Sequence, residues 1–141
     1  MKKVVVDSSV IVKWLNQQNE NHLQQAEKLF LDAINYKKIE FIAPELVKYE
    51  IGNVLTVAKK LESKQVRQAL SFFYSFPIEF FSDNQILSIQ THKIVFHTHT
   101  TYYDASFMAL AKQEKAVLIT DNLKHQKPIK GVKVIALKDY K

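Results

Sequence analysis

Four acidic residues stand where their carboxylates could do chemistry: Asp7, Glu50, Asp104 and Asp121. The two outermost follow short β-branched runs, and the other two fall in segments with helical spacing. If the four side chains converge, their charges repel unless protons or cations compensate them. Oxygen-only clusters suit Mg²⁺ or Mn²⁺, which keep several waters and often meet substrate phosphates. The four acids therefore indicate a site for a hard divalent cation.

Asp7 and Asp121 each come after a predicted strand, at the edge of the sheet where ligands of parallel α/β proteins bind. Asp is also a preferred N-cap and suits the positive end of a helix dipole. Each residue alone is explained equally well as a cap of the following helix or as part of a site.

Glu50 lies in the middle of an apolar stripe on a helix expected over residues 44–61. At about 100° per residue, five apolar side chains fall within about 60° of it: Leu46, Val47, Val54, Val57 and Leu61. A carboxylate facing a core is costly unless a cation or hydrogen-bond donors meet it. A site role is therefore favoured over a buried Glu–Lys pair or a protonated Glu.

Asp104 opens a helix expected over residues 102–114 and shares a face with Phe107, Met108 and Ala111. Acids are common in the first turn of a helix, so Asp104 alone favours a structural role. It is a candidate site residue only because it belongs to the set of four acids.

The elements that must position these acids alternate along the chain. Strands are expected at residues 4–6, 116–119 and 132–135, with weaker candidates at 41–42 and 78–81. Helices are expected at about 9–17, 22–37, 44–61, 64–75, 83–97 and 102–114. This alternation predicts a three-layer α/β/α sandwich with a central, mainly parallel sheet, as a single domain over residues 1–141.

The composition narrows the possible functions. The chain has 141 residues, 47% of them hydrophobic, and no cysteine, which excludes disulfides, thiol catalysis and thiolate metal sites. Its net charge of +6 favours polyanionic partners such as nucleic acid or an anionic membrane surface. No apolar run is long enough to span a membrane and no signal peptide is recognised, so we expect a cytoplasmic protein.

Four motifs carry the acids in this order: VVVDSSVIVKW, PELVKYEIGNVL, TTYYDASFMALA and VLITDN. As an ordered set over nearly the whole chain, they resemble the PIN-domain family, and most closely the toxin ribonucleases of VapC type. The resemblance implies that the four acids are the family's metal-binding acids. It also implies that Ser9 and Thr120 are hydroxyls that hold carboxylates or position water. Asn122 directly follows Asp121, and of these two we prefer Asp121.

The resemblance also implies an activity and partners. The activity is endonucleolytic cleavage of RNA phosphodiester bonds that depends on one or two Mg²⁺ or Mn²⁺ ions. The protein would be the toxin of a type II toxin–antitoxin system. A small DNA-binding antitoxin and a homodimer are the partners that it implies. Lys13, one or two helical turns beyond the first strand, is the best candidate for a phosphate contact, although a solvated helix charge explains it as well.

Other functions remain open at this point. An RNA-processing nuclease of the same family without a toxin role is one, and a catalytically inactive domain that binds RNA or a partner is another. A haloacid-dehalogenase-type enzyme would need an acid where Ser9 stands, and a response-regulator receiver would need a better acceptor than Asp83. A zinc site at His92, His97 and His99 is less favoured than solvated histidines.

Overall fold

The computed structural model describes all residues, 1–141, and its centre is a five-stranded sheet in which every pairing is parallel. The spatial order is β3-β2-β1-β4-β5. The strands are β1 (Lys2–Val6), β2 (Ile39–Pro44), β3 (Ile78–Phe81), β4 (Val117–Thr120) and β5 (Lys133–Ala136). The three-layer α/β/α architecture with a parallel sheet is thereby confirmed.

Six α-helices connect the strands: α1 (Ser8–Leu15), α2 (Leu23–Ile34), α3 (Leu46–Asn53), α4 (Ser63–Tyr74), α5 (Gln85–Thr98) and α6 (Tyr102–Gln113). A π-helical turn (Val54–Ala58) extends α3, and a 3-10 turn (Leu137–Asp139) follows β5. Their contacts place α1–α4 on one face of the sheet and α5–α6 on the other, the arrangement that right-handed crossovers produce. No helix is long and apolar enough to cross a membrane.

The central strand β1 explains why both faces must be covered. Val4, Val5 and Val6 are all buried, although successive side chains of a strand point to opposite faces. On one face α6 packs on β1, β2 and β4, and on the other α1 and α2 pack near β4 and β2. This two-sided burial is typical of parallel strands and accounts for their continuous apolar sequences.

The chain reverses its direction of winding between β1 and β4. From β1 it builds outward to β2 and β3, and it then returns across the sheet to β4. Such a switch point leaves a crevice outside the carboxyl ends of the two strands, which is the usual ligand site of this architecture. Asp7 and Asp121 directly follow these two strand ends.

The helix expected over residues 44–61 differs from the prediction. It begins at Leu46, and residues Val54–Ala58 form a π-helical turn. The extra residue in that turn changes the angular position of everything after it, and Val57, predicted to face the core, is 60% exposed. The buried stripe consists instead of Val47, Ile51 and Leu55.

Candidate active site

Asp7 is both a helix cap and a member of the crevice. Its Oδ2 accepts hydrogen bonds from the backbone N of Ser9 (3.1 Å), from Ser9 Oγ (2.6 Å) and from Thr120 Oγ1 (3.3 Å). Its Oδ1 accepts from Gln126 Nε2 at 3.3 Å. Oδ2 of this buried side chain thus accepts three hydrogen bonds, including the one that caps α1, whereas Oδ1 accepts only one.

Ser9 and Thr120 join the ends of β1 and β4. The backbone N of Asp121 donates to Ser9 Oγ at 3.0 Å, and that of Asn122 donates to Thr120 Oγ1 at 2.9 Å. The two hydroxyl oxygens lie 3.5 Å apart. Both hydroxyls therefore fix the Asp7 carboxylate and the turn after β4 in one network.

Glu50 points from α3 toward the same crevice. Its Oε1 is buried and has no hydrogen-bond partner. Burial, together with the negative charges of Asp7 and Asp104, raises the pKa of Glu50 to about 7, although a hydrogen bond with Ser8 opposes this. Its carboxylate thus has an oxygen without a donor, and a cation or a proton would reduce its repulsion from Asp7 and Asp104.

Asp104 lies in the first turn of α6, where its backbone N donates to the N-cap Thr101 at 3.1 Å. The pKa of Asp7 is raised mainly by burial and further by the charge of Asp104, while donors from Ser9 and Gln126 oppose the rise. Because Asp7 and Asp104 both also raise the pKa of Glu50, these three carboxylates share one electrostatic field.

Gln126 connects two of these acids and was not anticipated from the sequence. It is fully buried, and its Nε2 donates to Asp7 Oδ1 and to the backbone carbonyl of Asp104, both at 3.3 Å. Its Oε1 has no hydrogen-bond partner. A single glutamine within a lysine-rich segment has no periodicity or motif that could have indicated this position.

Asp121 is placed differently from the other three acids. Its Oδ2 lies 2.9 Å from Lys13 Nζ, and its Oδ1 lies 3.0 Å from His22 Nδ1. The Lys13 side chain is only 2% exposed and also contacts Glu20 Oε1 at 3.1 Å and the Asn21 carbonyl at 2.7 Å. Lys13 is therefore not a solvated charge, and a phosphate contact by it stays a prediction.

The donor set suits a hard cation, although the ligands do not enclose one. No group of three or more histidine, cysteine, aspartate or glutamate side chains lies close enough together to hold a metal ion. Mg²⁺ is usually held by one or two carboxylates together with waters and substrate phosphates, so a closed cage is not required. The unpartnered Glu50 Oε1 and the lightly bonded Asp7 Oδ1 are oxygens that such an ion would use.

The three histidines considered for zinc, His92, His97 and His99, are exposed and form no metal-binding group. The aromatic residues between α4 and β3 divide between two environments. Phe73 and Phe76 are buried in the core, whereas Phe72 and Tyr74 are more than half exposed. Only part of that cluster therefore belongs to the core.

Comparison with known proteins gives the same fold. The toxin–antitoxin complex VapBC2 of Rickettsia felis, bound to a promoter DNA fragment, includes a chain with 16% identity and a TM-score of 0.72. That match covers 95% of this chain and 98% of the other. DNA-bound VapBC of Salmonella typhimurium gives 17% identity and a TM-score of 0.67, with 97% and 99% covered.

A third similar structure is Mycobacterium tuberculosis VapC20, described as a sarcin–ricin-loop-cleaving toxin. Its identity is 16% and its TM-score 0.61, with 80% of this chain and 84% of the other covered. No curated protein sequence matches this chain. The family model for the PIN domain, however, matches residues 4–129, which include all four motif acids. The chain therefore belongs to the PIN-domain family.

Proposed function

We propose that this protein is a Mg²⁺- or Mn²⁺-dependent endoribonuclease, and that it is the toxin of a type II toxin–antitoxin system. The observation that carries the proposal is a group of three carboxylates at the sheet's switch point, of which Asp7 is buried and Glu50 and Asp104 are half-buried. There burial and the charge of Asp104 raise the pKa of Asp7, burial and the charges of Asp7 and Asp104 raise that of Glu50, and Glu50 Oε1 is buried with no partner. A proton on Glu50 relieves part of this repulsion in the metal-free protein, and a divalent cation would relieve it while all three carboxylates stay ionised.

When bound, Mg²⁺ or Mn²⁺ supplies a water of lowered pKa and stabilises negative charge on the phosphate. Asp7, Glu50 and Asp104 would hold the ion. Glu50, with a pKa of about 7, carries a proton in much of the metal-free protein at neutral pH. Ion binding would displace that proton, so affinity for the ion is expected to increase with pH.

Asp121 is the fourth carboxylate of the proposed site. Because Lys13 and His22 occupy its two oxygens, we assign it to the outer part of the site, reaching an ion through water. Ser9 and Thr120 would act by holding Asp7 in one orientation, which leaves Oδ1 facing the ion.

The toxin role is supported by the kind of protein this chain resembles. Two of the similar structures are VapBC toxin–antitoxin complexes on DNA, and a third is described as a toxin that cleaves the sarcin–ricin loop. We therefore propose a small DNA-binding antitoxin and a second copy of this chain as partners. The apolar recess of Trp14, Leu23, Phe30 and Phe72, between α1, α2 and α4, is a candidate contact for the antitoxin.

Purified protein incubated with total RNA and Mg²⁺ or Mn²⁺ tests the enzymatic proposal, with new 5′ ends mapped by sequencing. We expect defined cuts that disappear in EDTA and in Asp7→Asn. Asn is also a good N-cap, so this variant should remain folded. Asp139→Asn, at an exposed carboxylate in the 3-10 turn, is the matched control and should cleave like the wild type. Cleavage that persists in EDTA would contradict the proposal.

A separate experiment tests the toxin role. Expression of the wild-type chain alone should stop bacterial growth, and expression of Asp7→Asn should not. A metal-dependent nuclease that leaves growth unaffected would instead be an RNA-processing enzyme. A protein that binds RNA without cutting it would be an inactive binding domain.

A further inference from the structure

A basic groove lies outside the carboxylate site, between α5, α6 and the segment 129–131. Its volume is about 600 Å³. Four side chains that can carry positive charge line it, namely Lys93 and His97 of α5, Lys112 of α6, and Lys130. No acidic residue lines it. The groove is therefore a concave surface of one charge sign, which concentrates a positive potential.

The lysines of this groove have no carboxylate partner within the chain. Every salt bridge formed by a lysine in the structure involves Lys3, Lys13, Lys28, Lys38, Lys48 or Lys59. None of these lines the groove. Like charges held near one another are unfavourable, and an anion placed between them removes that cost.

The segment that forms one side of the groove is a turn with a defined backbone conformation. Gly131 has a φ of +84°, a conformation that favours glycine. A Cβ at this position would lie 3.4 Å from Lys112 Cε, which is an ordinary van der Waals contact, so the positive φ rather than lack of space favours glycine here. An isolated bridge between Ile129 and Val132 closes the turn that contains Gly131.

The same elements also connect the groove to the carboxylate site. Helix α6 carries Asp104 in its first turn and Lys112 eight residues later, a separation of about 12 Å along the helix axis. Gln126, which contacts Asp7 and Asp104, precedes the groove segment by three residues. A further hydrogen bond runs from Thr100 Oγ1 to the His125 carbonyl at 2.8 Å.

We propose that this groove binds phosphates of the RNA strand as it continues away from the cleavage site. The inference rests on the proposed ribonuclease function. At about 3.4 Å per nucleotide of a stacked strand, the groove lies roughly three to four nucleotides from the scissile bond. Phosphate contacts carry no sequence information, so the groove adds affinity and fixes the strand's path without choosing the target.

The apolar lining supports a nucleic-acid strand over a small anion. Two apolar residues line the groove with the lysines: Ile94, which is buried, and Ile129, which is partly buried. A volume of about 600 Å³ exceeds what one phosphate fills, and its length along α5, from Gln90 to His97, is about 10 Å. A strand with several phosphates and apolar sugar edges matches this length and chemistry.

The test measures binding without cleavage. A fluorescein-labelled 12-nucleotide single-stranded RNA is titrated in EDTA, and its anisotropy is followed between 50 and 200 mM salt. The groove variant changes Lys93, Lys112 and Lys130 to Gln. The control variant makes the same change at Lys2, Lys64 and Lys141, which are exposed and without carboxylate partners, so net charge is matched.

Each phosphate contact contributes about 0.7 to the slope of log K against log salt for a single strand, so losing three contacts lowers the slope by about 2. Over this salt range, wild-type affinity should fall about 20-fold more than that of the groove variant. The control variant should keep the wild-type slope. A third variant with Arg at the three groove positions should restore the slope, which separates a charge effect from a folding defect.

Equal losses in the groove and control variants would overturn the proposal, because net charge alone would then explain binding. Loss of binding to phosphatidylserine vesicles, with RNA binding unchanged, would also overturn it and indicate a membrane surface instead. Groove-dependent RNA binding by a protein that cuts no RNA in Mg²⁺ or Mn²⁺ would support the groove and refute the nuclease proposal. The two failures are thus distinguishable.

Discussion

Replacing Glu50 with Gln should stabilise the metal-free protein at alkaline pH while weakening its affinity for divalent cations. The side chain is desolvated and faces the charges of Asp7 and Asp104, and these raise its pKa to about 7. Gln has nearly the same shape and carries no charge. The substitution therefore removes a repulsion that is present only when Glu50 is ionised.

The sign and size come from proton linkage. The pKa is about 7 in the folded chain and 4.5 ordinarily, so the folded state binds the Glu50 proton more tightly. The resulting stability is fully present below pH 4.5 and is lost as the pH rises through 7. A difference of about 2.5 in pKa corresponds to about 3.4 kcal/mol, and partial exposure of Glu50 reduces this to about 2 kcal/mol.

Urea unfolding followed by circular dichroism, in EDTA at pH 5 and pH 8, measures this effect. Glu50→Gln should exceed the wild type by about 2 kcal/mol at pH 8, equivalent to about 6–8 °C in Tm, and by much less at pH 5. Glu27→Gln, at an exposed carboxylate of α2, should show the wild-type pH dependence. Adding Mn²⁺ at pH 8 should then stabilise the wild type more than Glu50→Gln.

Two outcomes would refute this reasoning. One is a Glu50→Gln protein that is less stable than the wild type at pH 8, since Glu50 would then be stabilised by partners that the structure does not contain. The other is a difference between variant and wild type that is the same at both pH values. A constant difference in the free energy of unfolding would arise from packing, because a titrating carboxylate makes that difference depend on pH.

Two further substitutions test the surroundings of the site. Lys13→Met should lower the free energy of unfolding by about 3 kcal/mol in urea titrations, because Asp121 loses a buried partner. The control Lys64→Met, at an exposed position, should change it by less than about 0.5 kcal/mol. A small effect of Lys13→Met would mean that the buried ion pairs contribute little. Gln126→Leu should weaken Mn²⁺ binding, measured by calorimetry, by about 10- to 100-fold, because Asp7 Oδ1 loses its donor. Unchanged Mn²⁺ affinity would show that Gln126 does not orient Asp7.

The strands and helices could be predicted because buried parallel strands have an unusual sequence pattern. Each run of β-branched residues, such as Val4–Val6, lies between polar segments, and this contrast locates it to within two residues. The run Ile78–Phe81 is predicted at its observed bounds. The π-helical turn could not be predicted, because apolar spacing assumes one constant angle per residue and one extra residue breaks that assumption.

The candidate site could be predicted only in part, for a different reason. Asp7 has two competing explanations, helix cap and site residue. The structure shows the cap at Oδ2, whereas Oδ1 accepts only from Gln126, so the site role stays a prediction. The partners of Asp121 depend on tertiary contacts, since His22 lies 99 residues away along the chain. A buried Lys13 looks like any helix lysine in the sequence, because nothing local signals the carboxylates that will surround it.

The π-helical turn at Val54–Ala58 also determines the direction in which the side chains after it point around the helix axis. Lys59 comes directly after the turn, and its Nζ lies 2.9 Å from Glu20 Oε2. Glu20 in turn contacts Lys13, which contacts Asp121. Deleting one residue from the turn would rotate Lys59 by about 100° and carry its ammonium group away from Glu20. A single-residue deletion in this turn would therefore break the first ion pair in a series, Lys59–Glu20–Lys13–Asp121, that ends at the crevice.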